Sequence, residues 1–493
     1  MSSIRAGYAG SISFFVGIVR LILGFVFITA VTRILTPEEY GTWTLIGGLL
    51  VYVLILHFIE TYWLTRETAR NIESGRTAIV SGGIFSTIGI FAYLLIVLLI
   101  SGNSDVDTNV LLFSIILVPA NFFYSILTSI NYGWKPQSQS YGLLIIDIIK
   151  IPTVLLFIYF FDYGVTGVIL SSFLGILASI FLHLFYAKDK LKNNFSFSYL
   201  KKWLKLSWLT LYPPIAGLIF SLDVAIFTLI IGNTEGLGYY GSAVVIGSLV
   251  GYGGLMFAAI YPKLLGSKDT GFLQNSITKL LYILIPLCTL VIVFSKPALY
   301  VLNPLYVIIY PAAILLALRF FSFTIFDTCN FILRGVEKVD TNESSSIKDY
   351  VKSKLFVVPT IQLIQYSSYA ISLGIVLLIN SSMEYSDLIY YWALISLCTQ
   401  IPFTIFICFL VRKTLPLKIE WLKICKFIFS SLIFIPMLYL FEYFSNYTLD
   451  LFEFLPYLLS FIGISVIAYV MITYIIDLES RLFIKSIFNE LKK

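Results

Sequence analysis

Runs of about twenty apolar residues recur along almost the whole chain, and a helix needs a run of this length to cross the hydrocarbon core of a bilayer. The chain has 493 residues, of which 59% are hydrophobic and only 12% are charged. Soluble globular proteins carry about twice that charged share, so this chain cannot cover its surface with polar groups. The sequence therefore predicts an all-α integral membrane protein. It excludes a cytosolic enzyme, a disordered chain and a secreted disulfide scaffold.

Fourteen apolar segments are long enough to be transmembrane helices, and the connections between them are short. The longest connection, 334–354, is too short to be an inserted soluble domain. We predict the spans near residues 11–34, 42–64, 78–101, 110–131, 141–161, 165–187, 207–231, 239–262, 280–300, 305–333, 355–379, 387–410, 424–444 and 452–476.

The basic residues predict the orientation of the spans, since cytoplasmic loops are enriched in Lys and Arg. With the N-terminus placed in the cytoplasm and the spans alternating, 28 of the 33 basic residues fall on the cytoplasmic side. Arg33 and Lys296 fall outside, and the remaining three residues lie within spans. This split predicts a multi-pass protein of the cell membrane with both termini in the cytoplasm.

A short repeat relates the second predicted span to the eighth. Tyr40–Tyr52 and Tyr240–Tyr252 share Tyr, Gly, Ile, Gly, Leu and Tyr at six of thirteen positions without a gap. An offset of six spans predicts two six-helix lobes related by a pseudo-two-fold axis along the membrane normal, and the alternative is chance similarity between apolar helices. The predicted parts are an N-terminal lobe at 1–187, a basic cytoplasmic linker at 188–206, a C-terminal lobe at 207–411, helices 13 and 14 at 412–476 and a cytoplasmic tail at 477–493. Two such lobes enclose a cavity that opens to either side of the membrane in turn.

Basic side chains inside the predicted spans are the first candidate functional residues, because a charge at the bilayer centre costs about 3 kcal/mol or more. A guanidinium makes paired, charge-assisted hydrogen bonds to a phosphate, so these cations are expected to hold an anionic substrate group. The predicted substrate-binding residues are Arg20, Arg319, Lys150 and, at the outer end of the first span, Arg33.

Carboxylates inside the spans are the second group of candidates. Asp223, Asp327 and Glu60 are predicted to couple transport to H+ or Na+, or to neutralise the arginines. The alternative for every buried charge is an internal ion pair that only holds helices together. Asp147 and Lys150 fit that alternative best, because residues three apart on a helix are neighbours.

Two short loops carry a family resemblance. The stretch Arg33–Gly41 (RILTPEEYG) resembles the loop between the first two spans of the polysaccharide-unit flippases, which belong to the multidrug/oligosaccharidyl-lipid/polysaccharide exporter superfamily. Glu235–Tyr240 (EGLGYY) is similar to the corresponding loop of the second lobe, and the fourteen-span plan also matches. The resemblance implies a transporter that moves a polyprenyl-(di)phosphate-linked oligosaccharide from the cytoplasmic to the outer leaflet. It also implies membrane lipid, H+ or Na+, and glycosyltransferases or a polymerase of the same pathway as partners.

Several alternatives remain at this stage. A small-molecule exporter of the same superfamily and a peptidoglycan-precursor flippase share the fold, and the sequence does not identify the sugar. A membrane glycosyltransferase is disfavoured because the outer loops are about ten residues or fewer. We therefore expect a protein that is not an enzyme. The chain shows no nucleotide-binding motif, no metal-ligand spacing and no clustered basic face, so no cofactor, metal or nucleic acid is expected.

Overall fold

The computed structural model describes residues 6–254, 270–337, 351–415, 420–445 and 447–491. All regular elements in these ranges are helical. The helices up to residue 254 are α1 (Ala6–Ile34), α2 (Pro37–Leu54), α3 (Phe58–Ala69), α4 (Gly75–Ser101), α5 (Thr108–Phe113), α6 (Leu117–Tyr132), α7 (Gln137–Leu155), α8 (Gly164–Ala187), α9 (Phe197–Lys205), α10 (Ser207–Phe220), α11 (Leu222–Ile231) and α12 (Glu235–Ser248). The helices from residue 270 onwards are α13 (Thr270–Val293), α14 (Ser295–Leu302), α15 (Tyr310–Val336), α16 (Lys354–Ile379), α17 (Tyr385–Thr414), α18 (Trp421–Ser431), α19 (Phe434–Phe444), α20 (Leu451–Ile476) and α21 (Leu478–Leu491).

Twelve helical segments of the described residues are long and apolar enough to cross a membrane. They overlap twelve of the fourteen predicted spans, so the prediction of an all-α membrane protein is confirmed. Of the other two predicted spans, 11–34 lies within α1. The span 239–262 begins in α12 and continues beyond Gly254, where it leaves the described residues.

Helix α4 shows how these helices divide their surface between protein and lipid. Its large apolar side chains Ile84, Ile88, Phe91 and Leu95 follow one another three or four residues apart, and each is at least half exposed. The opposite face buries small and polar residues, among them Ser81, Gly82, Ser86 and Gly89. Small residues let membrane helices approach closely, while large apolar ones suit lipid tails. The outward face of α4 is therefore a lipid-facing surface.

The loop that carries the family resemblance begins helix α2 with a capping box. The Thr36 hydroxyl accepts a hydrogen bond from Glu39 N at 3.2 Å, and the Glu39 carboxylate accepts one from Thr36 N at 2.9 Å. Pro37 occupies the first turn, where its missing N–H costs nothing. A cap of this kind contributes about 1 kcal/mol to helix stability. The Thr-Pro-Glu-Glu motif thus fixes the start of the second span.

The contacts divide the chain into two compact units. The first unit holds Met1–Gly241 and Tyr366–Met383, and the second holds Ser242–Gln365 and Glu384–Lys493. Each unit has its own buried core, with Phe122, Phe227 and Trp203 in the first and Trp392, Phe326 and Phe434 in the second. The lobe boundaries drawn from the repeat concern the internal symmetry of the chain, and they stay a prediction.

Candidate substrate and ion sites

Three ionisable residues of α1 and α7 meet within the first unit. Arg20 Nε donates a hydrogen bond to Asp147 Oδ2 at 2.8 Å, and Lys150 Nζ lies 3.9 Å from Asp147 Oδ1. The ammonium of Lys150 also lies 3.8 Å from the ring centroid of Phe27. The structure therefore brings together Arg20 and Lys150, two of the four predicted substrate-binding residues. Asp147, expected to pair with Lys150, is nearest to Arg20.

This cluster keeps a positive charge, because two cations share one carboxylate. The Arg20 side chain is 36% exposed, whereas that of Asp147 is only 7% exposed. Among the described residues Arg20 bonds to the protein through Nε alone, so its two Nη groups remain free to donate. An anion that approached the part-exposed Arg20 side chain would meet those donors, with the ammonium of Lys150 beside the same carboxylate. The carboxylate holds the two cations in place without neutralising both.

Arg33 lies in the last turn of α1, thirteen residues after Arg20. At 1.5 Å per residue the two backbone positions are about 20 Å apart along the helix. One phosphate group cannot contact both side chains at once over that distance. The structure therefore separates Arg33 from the cluster of Arg20 and Lys150.

Glu60 is a completely buried carboxyl group in α3, with 0% of the residue exposed. Its Oε2 shares a short hydrogen bond with Ser81 Oγ of α4, and its Oε1 has no hydrogen-bond partner among the described residues. Oε1 faces Gly82, where an added Cβ would lie 3.1 Å away. Within the part of the chain that the structure describes, no Lys, Arg or His lies within ion-pair distance of Glu60. An ionised carboxylate would be poorly compensated in such surroundings.

Asp223 lies in the first turn of α11, where the helix dipole favours a negative charge. Its Oδ2 accepts a hydrogen bond from the Tyr369 hydroxyl at 2.8 Å, and its Oδ1 accepts one from Val224 N at 2.8 Å. The Tyr52 hydroxyl bonds to the nearby carbonyl oxygen of Ser221 at 2.5 Å. Asp223 is thus a buried carboxylate that is well supplied with donors, in contrast to Glu60.

The remaining predicted residues belong to the second unit, on α15. Arg319 is 7% exposed, and its guanidinium carbon lies 4.8 Å from the ring centroid of Phe320 and 5.5 Å from that of Phe323. Asp327 is partly buried and lies two turns before Arg334 on the same helix. Both predicted residues therefore lie on one helix of the second unit.

A buried polar chain near Arg319 was not foreseen from the sequence. Gln365 Nε2 donates to Gln400 Oε1 at 2.7 Å, and Gln400 Nε2 donates to Thr404 Oγ1 at 3.1 Å. Ser322, one turn after Arg319, donates to Thr404 Oγ1 at 3.0 Å. The sequence does contain a signal for it, namely Gln365 and Gln400 within apolar spans. A buried side-chain amide, like a buried charge, needs a hydrogen-bond partner.

The chain segments at the start of the two copies of the sequence repeat lie against each other within the first unit. A Cβ added at Gly41 would overlap the carbonyl oxygen of Thr234, and one added at Gly238 would overlap that of Pro37. The hydroxyls of Thr42 and Thr234 lie 3.0 Å apart at the same crossing. Two helices can approach so closely only where glycine removes the side chain. The start of α2 therefore packs backbone to backbone against the start of α12.

No protein-family model and no curated protein sequence matches the chain. Solved structures do match it. A Lipid II flippase MurJ in an inward closed conformation aligns with a TM-score of 0.62 and 15% identity, over 95% of this chain and 98% of that one. An inward-facing multidrug resistance MATE family transporter of the MOP superfamily aligns with a TM-score of 0.54 and 11% identity, over 79% of this chain and 94% of that one. A MATE protein in the straight conformation aligns with a TM-score of 0.52 and 13% identity, over 82% and 94% of the two chains. At these identities the likeness shows the fold, and this chain has the helical membrane fold of the MurJ and MATE structures.

Proposed function

We propose that the chain is a transporter that moves a polyprenyl-(di)phosphate-linked oligosaccharide from the cytoplasmic to the outer leaflet, for the assembly of surface polysaccharide or another glycan. The observation that carries the proposal is the cluster of Arg20, Asp147 and Lys150, which keeps a net positive charge on helices α1 and α7. A sugar head group and a phosphate cannot cross hydrocarbon without a polar path. A cation held inside the bilayer supplies the phosphate with a counter-charge on that path.

The extent of the structural likeness supports a lipid-linked substrate. The alignment with the Lipid II flippase covers 95% of this chain, whereas the alignments with the two MATE proteins cover 79% and 82%. The MATE fold thus accounts for about four fifths of this chain, and the flippase fold for nearly all of it.

Phosphate binding is assigned to the part of the cluster where the Arg20 side chain is exposed. Arg20 presents its two Nη groups and Lys150 its ammonium, while Asp147 fixes the orientation of the guanidinium. Arg319 keeps its predicted phosphate-binding role as part of the proposal, in keeping with its burial and the polar chain beside it. Arg33 lies too far along α1 to act on the same phosphate as Arg20.

Ion coupling is assigned to Glu60 as a proton site. The Ser81 hydroxyl has one proton, and its oxygen lies near both Glu60 Oε2 and the carbonyl oxygen of Ala78, at 3.3 Å from the latter. If Glu60 is protonated, its O–H donates to Ser81 Oγ and the Ser81 O–H donates to Ala78 O, so each proton has an acceptor. If Glu60 is ionised, its buried negative charge accepts a hydrogen bond from one neutral donor, the Ser81 hydroxyl. Loss of this proton would destabilise the packing of α3 on α4, which links protonation to a conformational change.

The close packing of α2 against α12 at Gly41 and Gly238 is assigned the role of closing the substrate path on the outer side of the membrane. The predicted orientation places the first turns of α2 and α12 at the outer membrane surface. Their backbone contact at Gly41 and Gly238 leaves no room for substrate between them. Alternating access then requires these two helices to separate when the transporter opens outward.

The test is translocation of a fluorescent polyprenyl-diphosphate oligosaccharide in liposomes by the full-length protein. Arg20→Gln is expected to slow translocation about tenfold or more, by analogy with the loss of one charge-assisted hydrogen-bonding group of about 1.5–3 kcal/mol. The matched control is Arg412→Gln, which removes an exposed arginine at the end of α17. Equal rates in the wild type and in Arg20→Gln would remove the proposed phosphate role.

A second candidate function is translocation of a peptidoglycan precursor, favoured by the likeness to a Lipid II flippase at a TM-score of 0.62. The same liposomes distinguish the two, because both substrates can be offered side by side with the same label. If the peptidoglycan precursor moves faster than the polyprenyl-diphosphate oligosaccharide, the precursor is the substrate and the proposed mechanism of alternating access stays the same. Movement of a small cationic dye in place of either lipid would instead identify an ion-coupled small-molecule exporter.

A further inference from the structure

A cavity of about 830 Å³ opens on the first unit where the start of α4 approaches the end of α8. The predicted orientation places this end of both helices at the cytoplasmic surface. The cavity is lined by the cations Arg76, Lys188 and Lys192, the amides Asn193 and Asn194, and four apolar side chains that include Val80. It combines positive charge, hydrogen-bond donors and an apolar wall.

The charge of this cavity is unbalanced. Among the described residues Arg76 makes no ion pair, and neither does Lys188. Lys192 lies 2.7 Å from the carboxylate of Asp189, which is itself exposed. Three cations and one carboxylate leave a net charge of about two positive units, which attracts an anion at the membrane surface.

The segment that carries the lysines is held against the start of α4. Ser196 N donates to Thr77 Oγ1 at 3.0 Å, and Lys190 Nζ donates to Asn71 Oδ1 at 3.4 Å. Gly75 leaves space for the carbonyl oxygen of Lys190, which an added Cβ would overlap. These contacts fix the loop beside Arg76. The lysines of the loop and Arg76 of α4 therefore line one pocket, although they are more than 100 residues apart in the sequence.

The apolar wall of the cavity continues into the lipid-facing surface. Val80 is 41% exposed and begins the stripe that runs along α4 through Ile84 and Ile88. On α8 the exposed side chains Phe181 and Leu184 lie on the membrane side of Lys188. A ligand that fits both halves has an anionic head and apolar chains. Free phosphate or a soluble nucleotide would leave the apolar half unused.

We propose that this cavity binds the phosphate head group of an anionic phospholipid of the cytoplasmic leaflet. Arg76, Lys188 and Lys192 hold the phosphate, Asn193 and Asn194 donate to the oxygens around it, and the acyl chains lie along α4 and α8. Basic pockets between membrane helices on the cytoplasmic side suit such lipids. The site lies apart from the cluster of Arg20 and Asp147 and does not depend on the proposed transport function.

The test is native mass spectrometry of the full-length protein in detergent, titrated with phosphatidylglycerol or with phosphatidylcholine. The test variant combines Arg76→Gln, Lys188→Gln and Lys192→Gln. The control variant removes the same charge from exposed residues elsewhere on the predicted cytoplasmic side, by Lys205→Gln, Arg412→Gln and Lys413→Gln. Since each basic residue near an anionic head group contributes about a fivefold change in affinity, the test variant is expected to bind phosphatidylglycerol about tenfold to a hundredfold more weakly. The control is expected to retain wild-type affinity.

Three outcomes would overturn the proposal. Equal loss of binding in the test and control variants would show unspecific attraction to charge. Equal binding of phosphatidylcholine and phosphatidylglycerol by the wild type would show that the cations have no role. Competition by inorganic phosphate at the concentration of the lipid would show a site for free anions. Should the triple variant fail to fold, the single change Arg76→Glu tests the same expectation with one reversed charge.

Discussion

Arg20 Nε donates to Asp147 Oδ2 at 2.8 Å, although the two residues are 127 positions apart in the sequence. The bond joins α1 to α7, and it leaves Lys150 at 3.9 Å from the same carboxylate. A single acidic side chain therefore controls the positions of two cations. This arrangement makes Asp147, which was not among the predicted substrate-binding residues, the first target for mutation.

Asp147→Asn is expected to lower stability and to strengthen phosphate binding at the same time. The change leaves two cations without their carboxylate, which costs about 1–3 kcal/mol, less than a fully buried pair because the Arg20 side chain is 36% exposed. Thermal unfolding in detergent measures the loss of stability. Binding of a polyprenyl diphosphate measures the gain in affinity.

The control for this prediction is Asp105→Asn, which removes an exposed carboxylate from a loop. Its stability and its affinity should equal those of the wild type. The double variant Arg20→Gln with Asp147→Asn should recover part of the lost stability, because it removes one of the two uncompensated cations. Additive losses in the double variant would show that the two side chains do not interact energetically.

Glu60→Gln is expected to fold and to remove proton coupling. The amide keeps the size of a protonated carboxyl and can still bond to Ser81 Oγ, so the change in stability should stay below about 1 kcal/mol. Translocation by the variant should no longer respond to an imposed pH gradient, whereas that of the wild type should. An unaltered response to the gradient would exclude Glu60 and direct attention to Asp223 and Asp327.

The control for Glu60→Gln is Glu67→Gln, on the same helix. Glu67 is also buried, but it pairs with Lys202 at 3.0 Å and lies 3.4 Å from the indole nitrogen of Trp203. Its loss should therefore destabilise the protein by about 1–3 kcal/mol while the response to the pH gradient persists. The pair of variants separates a structural carboxylate from a coupling one.

Gly41→Ala is expected to disrupt the crossing of α2 and α12. The new methyl group overlaps the carbonyl oxygen of Thr234, so the two backbones must separate at a cost of about 1–3 kcal/mol. Reactivity of a cysteine placed at Thr42 toward an impermeant reagent should rise as the crossing loosens. Gly47→Ala is the matched control on the same helix, because a Cβ at Gly47 meets nothing within 4 Å.

The all-α membrane fold could be predicted because the length of each apolar segment shows whether it can span a bilayer as a helix. The twelve identified spans agree with that prediction. The predicted second span begins at residue 42, whereas α2 begins at Pro37, where Thr36 and Glu39 form a local capping box. The bond between Arg20 and Asp147 could not be predicted from the sequence. A sequence shows which residues share a helix face, but it does not show which helices are neighbours.

The same limit explains what was missed at the candidate sites. Spacing alone predicts that Asp147 pairs with Lys150, three residues away, whereas a helix packed alongside supplies a nearer cation, Arg20. Ser81 and Tyr369 are polar residues in apolar runs, and the sequence alone gives neither of them a functional role. They became informative only when the fold placed them against Glu60 and Asp223.

The junction of α20 and α21 predicts a loss of stability in acid. Asp477 accepts hydrogen bonds from Ser480 N at 2.9 Å and Ser480 Oγ at 2.8 Å, and it lies 3.3 Å from Lys426 Nζ. Burial by itself raises the pKa of this carboxyl, but the bonds from Ser480 and the ammonium of Lys426 outweigh it, so the pKa lies below its ordinary value of 3.8. A carboxyl group with a depressed pKa stabilises the folded state fully above its unfolded pKa, and this contribution is lost as the pH falls through the folded value. Thermal unfolding of the wild type should therefore shift to lower temperature below about pH 4, and Asp477→Asn should make that shift smaller. A variant that lost stability in acid as steeply as the wild type would show that other carboxylates determine the response.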